Sequence, residues 1–81
     1  MATLEQIRTE QPMLNMNHNL IQTLSEKLDA VSRYDIYIQD SMDQGCPKCA
    51  DLFRQFKQDD LKHIQLLRDQ IKEHCDAGKW K

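Results

Sequence analysis

The sequence predicts an all-α fold: an antiparallel helical hairpin with a short N-terminal helix, two such hairpins pairing into a four-helix bundle. Three observations carry that prediction. The 81 residues include two glycines and two prolines, and 30% are charged, which suits long helices joined by few turns. Apolar residues recur at intervals of three and four through two long stretches. A single break, Met42-Asp43-Gln44-Gly45-Cys46-Pro47, separates them.

Residues 1–12 form the first unit, an arm read as a short helix over residues 3–11. Thr3 followed by Gln6 is a capping-box pattern, and Pro12 stops the helix. Leu4 and Ile7 give it one small apolar edge. Residues 13–78 form the hairpin. Its first helix spans about 15–43, with Leu14, Ile21, Leu24, Leu28, Val31, Ile38 and Met42 as the inward stripe and Leu20 and Tyr37 widening it. Asn17 and Asp35 interrupt the stripe in the same register. Such a helix runs about 43 Å and needs a neighbour along its length.

Gly45 suits a left-handed C-terminal cap and Pro47 the first turn of the next helix. That helix spans about 47–76, with Gly78 beyond its end. Its stripe is Cys49, Phe53, Phe56, Asp60, His63, Leu67 and His74, thickened by Leu52, Ile64 and Ile71. The tight turn makes the two helices antiparallel. Asp60 then lies level with Asp29, and His63 with Glu26 and Lys27. Lys79-Trp80-Lys81 reads as a flexible tail.

A lone chain of this size has little core to bury, so a homodimer or higher homo-oligomer is expected. Eleven basic and 13 acidic residues, without a basic block, argue against nucleic acid as a partner. No apolar run reaches the length of a membrane span, and the first residues lack a signal peptide's pattern. A cytoplasmic protein that does not bind membranes is the expectation, with an unknown protein partner left open. Three cysteines, an odd count, do not make a closed secreted framework.

Asp60 and His63 carry the sharpest chemistry. Three apart on a helix, they project from one face, and a carboxylate and an imidazole turned into a core need a partner or a metal. As metal ligands they would take Glu26 or Asp35 as a third group, with iron or zinc as the ion. As a polar layer they would fix register and oligomeric state. This pattern resembles half of a ferritin-like di-iron bundle of the bacterioferritin and rubrerythrin families. The resemblance places Tyr34 at those families' Tyr position, His63 at the His, and Asp60 where Glu is usual. Lys27 occupies the position of the metal-bridging carboxylate, seven before Tyr34. A lysine there can pair with Asp60 and replace the metal by a salt bridge.

Cys46-Pro47-Lys48-Cys49 is the second constellation. At a helix N-terminus the positive helix end and free N–H groups lower thiol pKa values. The motif reads as a helix cap with Cys49 buried and Cys46 exposed, or as a zinc or redox-active pair. Zinc needs two further ligands, and His74 and Cys75 lie at the far end of the same helix. Met13, Asn15, Met16, Asn17 and His18 resemble a soft-ligand cluster, but at helical spacing the methionines read as core filler rather than copper ligands. The chain is therefore read first as a small non-catalytic ferritin-like assembly or interaction protein with a buried Asp/His layer. The alternatives are a metal-binding hairpin using Asp60 and His63 at a dimer core, and a redox or zinc module using Cys46 and Cys49.

Overall fold

A computed structural model of the chain describes residues 2–9 and 12–81, without the side chains of residues 8 and 9. Three helices follow in order: α1 (Leu4–Thr9), α2 (Asn15–Asp43) and α3 (Pro47–Asp76). The two long helices pack on each other as the predicted hairpin, and all of the secondary structure among the described residues is helical.

Local chemistry sets the ends. Before α1, the Gln6 amide donates to Thr3 Oγ1 at 3.2 Å while the Thr3 amide donates to Gln6 Oε1 at 2.9 Å. This is the reciprocal capping box. Residues 10 and 11 of the expected first helix lie outside the described residues. Helix α2 ends in a Schellman arrangement around Gly45, whose φ is 74°. The Gly45 amide donates to the Met42 carbonyl at 3.1 Å and the Cys46 amide to that of Ser41 at 2.8 Å. The same device closes α3. Gly78 sits at φ 70° and donates to Cys75, and Lys79 donates to His74.

The seam follows a narrower line than the sequence stripes. In α2 it runs through Asn17, Leu20, Leu24, Lys27, Val31, Tyr34, Ile38 and Ser41; in α3 through Ala50, Phe53, Asp60, Ile64, Leu67, Ile71 and His74. Leu14, Ile21, Leu28 and Met42, expected to face inward, are exposed, as are Leu52 and Phe56. The reason is geometric. Each apolar stripe is wider than a single neighbouring helix can cover, so part of it remains outside. Ala50 and Ile64 are the only buried apolar residues among those described.

The chain is thin and open, with extents of 51 × 36 × 13 Å. Its radius of gyration is 17.6 Å, against about 12 Å for a compact chain of this length. Among the described residues no helix is long and apolar enough to cross a membrane.

Candidate functional site

Asp60 sits midway along α3, where the seam brings it opposite α2. Lys27 Nζ donates to Asp60 Oδ1 at 3.0 Å, and His63 Nδ1 lies 3.5 Å from the same oxygen. The helical register alone set Asp29 level with Asp60; the Lys27–Asp60 pair is the salt bridge raised with the ferritin-like resemblance. The three side chains differ in exposure: 11% for Asp60, 32% for Lys27 and 51% for His63. His63, expected on the buried stripe, lies on the flank. The buried line passes from Asp60 to Ile64, and a residue three on falls about 60° to one side.

Beside this layer is an open pocket of about 330 Å³, lined by Tyr34, Phe56, Asp59, Asp60 and His63. Tyr34 also belongs to an aromatic cluster with Tyr37, Phe53 and Phe56, whose ring centroids lie 5.5–6.4 Å apart. Burial alone would raise the Asp60 pKa. The hydrogen bond and charge of Lys27, with the Tyr34 hydroxyl, outweigh it and hold the carboxyl below its ordinary value. Tyr34 moves the other way, raised by burial and by its interaction with the Asp60 carboxylate.

These shifts fix the sign of a pH effect. Asp60 contributes stability that is complete above the unfolded carboxylate pKa of about 4. It is lost as pH falls through the lower folded value. Tyr34 contributes stability present below about pH 10 and lost as pH rises through its raised folded value. Asp60→Asn is expected to make the acid limb of stability shallower in urea titrations between about pH 2 and 7. An unchanged acid limb would assign acid unfolding to other carboxylates.

The other proposed metal ligands go elsewhere. Asp35 accepts from Lys57 Nζ at 2.7 Å, and Glu26 accepts from Gln22 Nε2 at 3.3 Å on its own helix. Among the described residues no group of three His, Cys, Asp or Glu side chains is placed to hold a metal ion. Within one chain, Asp60 and His63 are two donors, and Lys27 already neutralises the carboxylate. By itself that set falls short of the di-iron ligand set the resemblance implies, and a site at a dimer core would take its remaining donors from a second copy.

Cys46 and Cys49 are joined as a disulfide. This corrects the zinc reading, because sulfurs bonded to each other are not thiolate ligands. It also reverses the expected burial: Cys49 is exposed and Cys46 half-buried. Cys46 is the N-cap of α3, and its Sγ accepts the Cys49 amide at 3.2 Å. The cross-link encloses so few residues that chain entropy assigns it only about 2 kcal/mol. Cys75 is free and exposed.

A further polar node closes the open end of the hairpin, joining Asn17 and His74, both placed on the inward stripes by the sequence but not paired there. Asn17 is fully buried. Its Nδ2 donates to the Lys79 carbonyl at 2.9 Å and, more weakly, to that of Lys81 at 3.4 Å. Those carbonyls accept only, so the amide orientation is fixed and Oδ1 faces His74 Nδ1 at 2.9 Å. His74 therefore carries a proton on Nδ1. The Leu14 amide, at the N-cap of α2, donates to the Lys81 carbonyl at 2.8 Å. Residues 79–81, expected to be a flexible tail, instead lie against the start of α2.

No family model, curated protein or solved structure matches the chain. Function therefore rests on the residues. The Asp60 layer offers a neutralised ion pair beside an aromatic pocket, an arrangement suited to specifying packing. The Cys46–Cys49 bond is the one disulfide among the described residues.

Proposed function

We propose that the chain is a non-catalytic helical assembly unit. Its hairpin pairs with a second copy into a four-helix bundle, with the Lys27–Asp60 layer fixing register. The observation that carries this reading is exposed area. The chain leaves 6387 Å² accessible, whereas a folded monomer of 9.6 kDa exposes about 5,100 Å². The excess of about 1,300 Å² per chain is more than the roughly 800 Å² per partner of a standard interface. Ile21, Leu28, Phe56, Leu61 and Leu66 contribute exposed apolar surface along the two long helices. A second hairpin is the simplest cover for stripes too wide for one neighbour. In the ferritin-like comparison, Lys27 takes the place of a metal-bridging carboxylate, which suits an assembly role.

Sedimentation equilibrium tests the proposal. The expected mass is a multiple of the 9.6 kDa chain. Phe56 lines the pocket, and Leu28 lies off the other flank of the seam by helical spacing. Either Leu28→Glu or Phe56→Glu is expected to return the mass to that of one chain while helicity survives at low temperature. A wild-type monomer at tens of micromolar, or two variants that both stay associated, would overturn the reading.

A further inference from the structure

The hairpin turn carries a chemistry that assembly does not use. We propose that Cys46 and Cys49 form a thiol–disulfide exchange centre that accepts two electrons from an external dithiol.

Four features of the turn support the assignment. The sulfurs are bonded to each other across Pro47 and Lys48, a span that ties no distant parts of the fold together. The two sulfurs differ in access, Cys49 lying exposed and Cys46 half-buried. Cys46 Sγ already accepts the Cys49 amide at the N-terminus of a 30-residue helix, where a developing thiolate is stabilised. The first turn of α3 contains no acidic residue to oppose that negative charge.

One thiolate of the dithiol attacks the exposed Cys49 Sγ. The Cys46–Cys49 bond breaks, its electron pair leaves on Cys46 Sγ, and a mixed disulfide forms on Cys49. The second thiolate of the same molecule attacks its own sulfur in that mixed disulfide and releases Cys49 as a thiolate. The external dithiol has become a disulfide and the protein a dithiol. Two electrons have moved to the protein, and the two thiol protons pass to solvent or to the released sulfurs. Attack at Cys49 is favoured by access, and departure of Cys46 by its place at the N-terminus of α3, where the Cys49 amide already donates to its sulfur. Cys75 cannot resolve the intermediate within the chain, because it lies about 39 Å along α3 from Cys49 at 1.5 Å per residue.

The test uses the full chain and dithiothreitol as the dithiol. Reduction is expected to go to completion under native conditions with helical circular dichroism unchanged. Alkylation of the reduced chain by iodoacetamide at about pH 6, mapped by mass spectrometry, is expected to modify Cys46 about fivefold faster than Cys75. Brief exposure of the oxidised chain to reduced glutathione followed by acid quenching should place glutathione on Cys49, not Cys46. Reduction only in denaturant, loss of helicity on reduction, equal alkylation rates, or glutathione trapped on Cys46 would each overturn the proposal. None of these readouts depends on oligomeric mass, so a failure here is separable from a failure of the assembly reading.

Discussion

Asn17→Ala is expected to destabilise the hairpin by about 2–3 kcal/mol, a drop in melting temperature of roughly 10–20 °C for a domain of this size. Asn17 is fully buried and satisfies three groups at once: the Lys79 carbonyl, the Lys81 carbonyl and His74 Nδ1. Truncation removes the hydrogen bonds and leaves the partners facing a small void. The partners are only part-buried, so the loss is that of the three hydrogen bonds and of the packing of Asn17 itself. Asn17→Asp is nearly isosteric, yet it should release residues 79–81 as alanine does, because a carboxylate cannot donate to two carbonyls. Trp80, the single tryptophan, is half-buried in the docked segment. Its emission should shift to the red in both variants before any loss of helicity. Melts at one fixed protein concentration with unshifted Trp80 emission would remove Asn17 from this role.

That node also marks the limit of what the sequence made legible. Helices 15–43 and 47–76 were readable because Gly45, Pro47 and Gly78 punctuate them and the apolar interval is regular between. The register was readable too. A tight turn at Gln44 and Gly45 leaves little freedom, and the residue that meets Asp60 is Lys27, two positions from the Asp29 that the register sets level with it. Three things were not. The apolar stripes extend beyond the seam, because a periodic pattern does not say which of its positions one neighbouring helix reaches. His63 falls outside, because a rotation of about 60° separates a residue three on from the seam. Asn17 and His74 were both legible on the stripes, but the docking of residues 79–81 was not, because Asn17 holds them by main-chain carbonyls and a backbone acceptor has no residue type to recognise. The Cys46–Cys49 pair was visible as a motif. Which sulfur would lie inward depended on the cap, where Cys46 folds back onto the Cys49 amide.

The second large effect is expected at the Lys27–Asp60 pair, where the order of removal decides the outcome. Lys27→Leu leaves a nearly buried carboxylate without its cation, and only the Tyr34 hydroxyl and His63 remain near it. Breaking a fully buried pair from one side costs about 3–5 kcal/mol. Lys27 is about one-third exposed, so screening reduces the expected loss to roughly 1–3 kcal/mol. Asp60→Leu should cost less, because the freed ammonium can swing to water through the open side of the layer. Lys27→Leu with Asp60→Leu should recover wild-type stability or exceed it, since apolar residues then face each other across the seam. A double-mutant cycle in urea isolates the coupling. Sedimentation on the same four proteins then reads specificity. If the ion pair fixes register, the doubly apolar hairpin should be at least as stable as the wild type yet populate several masses, because nothing in an apolar seam penalises a shifted pairing. A double variant that is stable and assembles with one wild-type mass would leave the pair without a role in assembly, and register would then rest on the aromatic cluster around Tyr34.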